Sequence, residues 1–263
     1  MKRWVFTSLW LIAAQLSQAQ DEVILQDARI GGADTVWIFK PTDYNADIAY
    51  PVVYMLHGYS GNYRQWHQIM DAQAYADAYG MIIICPDGLF NSWYIDSPKK
   101  KDSQYTTFFF ETLMPEIEAK YAIDKHNRFI TGLSMGGHGA FHLFLENPAL
   151  FRSAGSTSGV IDLRNSAGKY QLHEYLGDFS QNKSLWLEMS IAGRIDELKQ
   201  SDKELVFDCG TEDPFYQDNL TLFHSLLESN IPATFISRPG KHDWAYWGAS
   251  IKAHFEFFES KVE

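Results

Sequence analysis

Short apolar runs bounded by turn residues alternate along this chain with longer segments whose apolar residues recur at helical spacing, and this alternation restricts the fold more than any other feature. Strands separated by helices pair in parallel, because the crossover between parallel strands needs a dozen or more residues. The expected strands are residues 22–28, 34–40, 51–55, 81–85, 128–131, 153–158, 204–209 and 233–237. Helices are expected over 64–79, stopped by Gly80, over 105–121, and over 137–146, 218–229 and 244–260. Pro115 falls inside the second, where it kinks the helix or marks its true first turn. These elements predict an α/β chain: an eight-stranded, mostly parallel sheet with helices on both faces. The aromatic stripes on the helices belong to its core, not to a cofactor site.

One connection breaks the pattern of short loops. Residues 161–202, roughly forty positions between the sixth and seventh strands, run several times the usual length. Trp186, Leu187, Ile191 and Ile195 supply apolar surface for a small helical insertion packed over the site, although a solvated insertion would read similarly.

Residues 1–19 read as an export signal, with Lys2 and Arg3, an apolar stretch over 4–14, and Ser17-Gln18-Ala19 as a small-x-small cleavage site. That stretch is well short of the roughly 20 residues needed to span a bilayer. Cleavage after Ala19 leaves 20 basic against 33 acidic residues, a formal charge of −13, and such a surface repels nucleic acid and anionic membranes. The mature chain, residues 20–263, is expected to be one secreted or periplasmic domain without membrane insertion, since no repeat or linker divides it. Cys85 and Cys209 would stand four strand positions apart. At ~4.8 Å per strand this is about 19 Å, far beyond the disulfide limit of about 7 Å between Cα atoms, so both are expected as buried free thiols.

Residues 132–136 read Gly-Leu-Ser-Met-Gly and sit directly between the fifth apolar run and a helical segment. A serine on such a turn has its hydroxyl pushed clear of the backbone, and small residues two positions away let the chain pass close to itself. Ser134 is therefore the candidate nucleophile. The N–H of Met135 is placed to donate to the oxygen that turns negative when an ester or amide carbonyl is attacked, helped by the positive end of the helix. Five residues do not suffice alone, because a hydroxyl at neutral pH needs a base and the base needs a third group to orient it.

Position selects among the nine histidines. His242 lies in the loop after the last strand, which opens at the carboxyl edge of the sheet where the serine turn also sits. His57 precedes Gly58 after the third strand and suits an oxyanion loop. His138 and His142, four apart on one helix, have metal-ligand spacing but no third ligand in view, and read as ordinary helix residues. For the acid, Asp213 follows the seventh strand, with Glu212 its rival, while Asp208 lies within the strand and points into the fold. The second oxyanion donor is expected from Tyr59 N–H, between Gly58 and Gly61. Trp93, Tyr94, Phe215 and Trp244 flank these loops and are expected to bind a sugar or phenolic ring.

Leu56–Gly61 with Trp66, Pro86-Asp87-Gly88, Asn91–Tyr94, Gly132–Gly137, Gly210–Asp213 and Gly240–Trp247 together resemble the esterase D-like putative esterase family of α/β-hydrolases. That family includes feruloyl and acetyl xylan esterases, S-formylglutathione hydrolases and mycolyltransferases. The resemblance implies an α/β-hydrolase with Ser134 as nucleophile, Asp213 as acid, His242 as base, and Tyr59 and Met135 as oxyanion donors. It implies a serine carboxylesterase needing no metal or organic cofactor. With an export signal it implies a short-chain or phenolic ester substrate, on carbohydrate, in place of a cytosolic glutathione thioester. Acyl transfer through the same triad, and a non-catalytic exported carbohydrate-binding protein on this scaffold, are the alternatives.

Overall fold

The structure, a computed structural model, describes residues 20–263; the export signal expected at 1–19 lies outside the described residues. All eight expected strands form: β1 Gln20–Asp27, β2 Gly32–Phe39, β3 Tyr50–Leu56, β4 Ile82–Pro86, β5 Ile123–Gly132, β6 Ser153–Thr157, β7 Leu205–Gly210 and β8 Ala233–Arg238. They make one sheet in the order β1-β2-β4-β3-β5-β6-β7-β8. β2 runs antiparallel to β1 and to β4, and every other pair is parallel. The carboxyl ends of β3, β5, β6, β7 and β8 therefore share one edge.

The helices are α1 Gln65–Ile69, α2 Ala72–Tyr79, α3 Tyr105–Phe108, α4 Met114–Glu118, α5 Met135–Glu146, α6 Leu172–Leu176, α7 Lys183–Glu188, α8 Ile195–Ser201, α9 Tyr216–Glu228 and α10 Trp244–Glu259. Alternate residues of each strand feed opposite faces of the sheet. Val52, Tyr54 and Leu56 pack with Phe109, Phe141 and Leu222 from α5, α9 and the α3–α4 segment. Val53 and Met55 pack with Trp66, Ala76 and Phe255 from α1, α2 and α10.

Three local departures from expectation have physical causes. The helix expected over 64–79 is two, because Met70 is extended and the carboxylate of Asp71 accepts the Ala74 N–H (3.1 Å), starting a second helix. The helix over 105–121 carries a π turn at Phe109–Leu113 immediately before Pro115. Proline lacks the N–H that Glu111 O would accept and its ring would strike that carbonyl, so the wider turn relieves both. β5 starts five residues early because Ile123 is buried opposite Tyr50, while Lys125 and His126 stay in solvent and hide the strand from an apolar-run reading. Cys85 and Cys209 are buried and free, and burial pushes both thiols above their ordinary range.

Beneath the carboxyl edge, β5, β6, β7 and α10 meet at a fully buried polar network. His254 Nε2 lies 2.7 Å from Asp208 Oδ2, His254 Nδ1 lies 2.8 Å from Thr131 Oγ1, and Thr157 donates to Asp208 Oδ1 at 2.8 Å. A carboxylate only accepts, so Nε2 carries a proton. Among the described residues no helix is long and apolar enough to cross a membrane. His254→Ala strips Asp208 of its charge-assisted partner in the core, and urea unfolding should show a loss of about 3–5 kcal/mol; a loss under about 1 kcal/mol would mean the network contributes little.

Candidate active site

β5 turns into α5 so tightly that no side chain fits on the inside of the bend. A Cβ on Gly132 would lie 2.2 Å from Gly136 O, and one on Gly136 would lie 2.3 Å from Leu56 O at the end of β3. Ser134, between them, takes φ 54° and ψ −114°, a conformation strained for any residue with a side chain. It is held there by its N–H, which donates to Thr157 O (3.0 Å), and by its carbonyl, which accepts from His138 N–H at 3.1 Å and Val160 N–H at 3.3 Å. Of the ten non-glycine residues with positive φ among those described, eight lie in the loops after β3, β4, β5 and β6: Ser60, Leu89, Trp93, Tyr94, Ser134, Ser158, Tyr170 and Gln171. The strain is concentrated at one edge of the sheet.

His242, from the loop after β8, places Nδ1 2.8 Å from Asp213 Oδ2 and Nε2 2.9 Å from Ser134 Oγ. Because Asp213 only accepts, Nδ1 bears the proton and Nε2 is left as the acceptor for the serine hydroxyl. Asp213 is buried, and its second oxygen accepts the Phe215 N–H at 2.8 Å, which fixes the carboxylate plane. Glu212 instead faces solvent, 3.8 Å from Lys241. The His242 ring makes T-shaped contacts with Phe215 (5.1 Å) and Trp247 (4.9 Å).

The loop after β3 is tied down at nearly every turn. Trp66 Nε1 donates to Leu56 O, Tyr94 O–H to His57 O, and Gly58 N–H to Gln65 Oε1. His57 Nε2 accepts the Gly88 N–H (2.8 Å), so its proton sits on Nδ1 and is donated to Gly58 O (2.7 Å). Ser60 N–H reaches Phe90 O in the loop after β4. Among the described residues no protein acceptor is bonded to the N–H of Tyr59 or of Met135.

The four expected substrate-binding aromatics divide. Phe215 lies against His242, and Trp244, two residues after His242 in the chain, is 49% exposed. Tyr94 is fully buried and braces His57, and Trp93 is 1% exposed and packs on His138. Neither presents a free face, because consecutive left-handed residues turn both rings inward. The rings that do border the edge are Tyr59, Phe90 and Tyr170, which a reading of residue type near motifs missed. Tyr170 comes from the insertion, and nothing in its local sequence marks it.

The family model described as "Putative esterase" matches residues 28–258. An acetyl esterase of Caldicellulosiruptor saccharolyticus is 28% identical over 226 residues, spanning 80% of this chain and 83% of its own. Among solved structures, a substrate-bound fluorophosphonate-binding serine hydrolase of Staphylococcus aureus superposes with a TM-score of 0.80 at 24% identity, covering 92% of this chain and 98% of the other. A ferulic acid esterase superposes at 0.77 and 25% identity, covering 93% and 98%. The architecture is that of the α/β-hydrolases.

His138 and His142 are buried on α5 with rings stacked 5.8 Å apart. His138 Nε2 lies 2.9 Å from Met189 O, and His142 Nδ1 lies 3.1 Å from the Arg194 guanidinium, which also pairs with Glu146 and Glu197. Both contacts fasten the insertion to α5. Among the described residues no group of three or more His, Cys, Asp or Glu is placed to hold a metal. Burial holds His142 well below the ordinary imidazole range and His138 at about 4. Between pH 6.5 and 4, then, only the unfolded chain takes up the His138 proton, so this residue costs stability as pH falls. Wild type should lose about 2 kcal/mol relative to His138→Asn between pH 7 and pH 5 in urea titrations; parallel stabilities would contradict a neutral buried ring.

Proposed function

The chain belongs to the Putative esterase family and is a serine esterase, and we propose that Ser134, His242 and Asp213 are its catalytic triad, cleaving short-chain or phenolic acyl esters on carbohydrate. The observation that carries this reading is the continuous hydrogen-bond chain from Ser134 Oγ through His242 to Asp213 Oδ2. His242 Nε2 takes the hydroxyl proton as Ser134 Oγ attacks the ester carbonyl. The carbonyl oxygen, now negative, is received by the unspent N–H groups of Tyr59 and Met135, the latter at the positive end of α5. Collapse expels the alcohol with the proton from His242 and leaves the acyl group on Ser134. Water then gives its proton to His242, attacks the acyl carbon, and frees the acid and the serine. Asp213 keeps the imidazole in the tautomer that accepts from serine and stabilises the imidazolium formed at each step.

The substrate class draws support from relatives named as an acetyl esterase and a ferulic acid esterase, and from the exposed aromatic surface of Trp244, two residues after His242 in the chain. Export with cleavage after Ala19 places this chemistry in the periplasm or outside the cell, where acylated polysaccharide is met as a substrate. Hydrolysis of p-nitrophenyl acetate and methyl ferulate by wild type, Ser134→Ala and Asp213→Asn tests the assignment. Each substitution should lower kcat by about 10⁴-fold or more with the fold intact by circular dichroism. Rates for Ser134→Ala equal to wild type would remove the triad.

A further inference from the structure

The loop after β3 folds over its own histidine. The His57 ring is 1% exposed, and a Cβ on Gly61 would lie 2.9 Å from His57 Nδ1, so the chain closes on the ring only where it has no side chain. Both ring nitrogens are spent on backbone: Nε2 lies 2.8 Å from Gly88 N, and Nδ1 lies 2.7 Å from Gly58 O. Asp87 Oδ1 stands farther off, 3.6 Å from Nε2, and accepts the Leu89 N–H. An amide N–H only donates, so Nε2 is bare and the ring proton sits on Nδ1, facing Gly58 O.

Gly58 O also accepts the Gly61 N–H at 2.9 Å. A carbonyl oxygen has two lone pairs, and here both are filled. Two donors fix the plane of the Gly58–Tyr59 peptide, which is trans, and in a trans peptide the N–H points opposite to the C=O. The same two bonds therefore aim the Tyr59 N–H, which has no protein acceptor among the described residues. This peptide runs alongside the nucleophile turn, since a Cβ on Gly58 would lie 3.5 Å from Ser134 Cβ.

We propose that His57 is the positioning residue of the oxyanion site, acting through the Gly58–Tyr59 peptide, an inference that rests on the assignment of Ser134 and Tyr59 above. Its Nδ1–H holds the peptide in the plane that presents the Tyr59 N–H to the developing oxyanion. It also draws electron density toward Gly58 O, and hydrogen bonds linked in a chain strengthen one another, so the Tyr59 N–H becomes a better donor. Buried as it is, the ring takes no part in the proton transfers of the triad. The gain falls in the transition state, where the substrate oxygen carries the charge that this N–H meets.

The two ring nitrogens can be replaced separately. Asparagine sets its Nδ2 near the place of Nδ1 and keeps a donor for Gly58 O; glutamine reaches the place of Nε2, keeps an acceptor for the Gly88 N–H, and leaves Gly58 O without its side-chain donor. With p-nitrophenyl acetate, His57→Asn should keep kcat within about threefold of wild type, while His57→Gln should lower kcat by about tenfold or more with KM within about threefold. His57→Gln should raise the inhibition constant of trifluoroacetone, whose hemiketal with serine carries the same oxyanion, by the factor lost in kcat. Equal losses in the two variants, a loss in His57→Asn alone, wild-type kcat in His57→Gln, or a fall carried by KM would overturn the proposal. If circular dichroism shows only one variant folded, that one decides: His57→Asn by keeping or losing kcat, His57→Gln by losing or keeping it. Wild type supplies a test without substitution, since a crystal soaked in trifluoroacetone should place the hemiketal oxygen about 3 Å from Tyr59 N, and an oxygen held elsewhere would overturn the proposal. Failure of the triad itself would appear separately, as Ser134→Ala retaining activity on p-nitrophenyl acetate.

Discussion

The candidate catalytic edge depends on how closely the β5–α5 turn passes the end of β3. Only hydrogen atoms fit at Gly132 and Gly136, since a methyl at either would lie within 2.3 Å of a carbonyl oxygen. Two further features of the edge follow from that contact. It forces Ser134 into positive φ, which lifts its hydroxyl off the backbone, and it aligns the first amide of α5 beside the loop after β3. A longer turn would relax the serine and separate the N–H groups of Tyr59 and Met135, losing the preorganisation on which the proposed oxyanion stabilisation rests.

Strain of this kind persists because the surroundings over-determine it. The loop after β3 is held by side chains from two other segments, Trp66 and Gln65 of α1 and Tyr94 after β4, and by its own His57 in a tautomer fixed by Gly88. The insertion is held in the same way, by His138 and Glu146 of α5 on one side and Asn91 on the other. At His142 a charged imidazole would set a second N–H against the Arg194 guanidinium, and burial holds this ring well below the ordinary imidazole range. Beneath them, the Asp208–His254 pair ties α10 to β7 and, through Thr131 and Thr157, to β5 and β6.

Much of this was legible in the sequence for reasons that can be named. Strands buried on both faces leave continuous apolar runs, so Val52–Met55 and Ile82–Cys85 announced themselves. The first half of β5 did not, because Lys125 and His126 are exposed there. The expected position of Ser134 came from its Gly-Leu-Ser-Met-Gly turn, and those of Asp213 and His242 from loop order, since parallel strands deliver successive loops to one edge. Their convergence within hydrogen-bonding distance required the structure, in which Asp213, preferred over Glu212 on position, faces inward while Glu212 faces solvent. Aromatic residues were the hardest to place. Ring type does not encode burial, and the left-handed turn that buries Trp93 and Tyr94 is carried by no glycine or asparagine at either position. Tyr170 is positioned by a hydrogen bond between Asn91 and Gln171, eighty residues apart in the chain, and no local pattern reveals such a contact.

The central claim is that Ser134 Oγ attacks while the Tyr59 and Met135 amides receive the resulting oxyanion. A crystal structure of the enzyme inactivated by an alkyl fluorophosphonate tests both halves at once, because the tetrahedral adduct stands in for the intermediate. The account predicts a single bond from phosphorus to Ser134 Oγ, with the phosphoryl oxygen about 3 Å from both amide nitrogens. A bond to any other residue, or a phosphoryl oxygen turned to solvent, would contradict it.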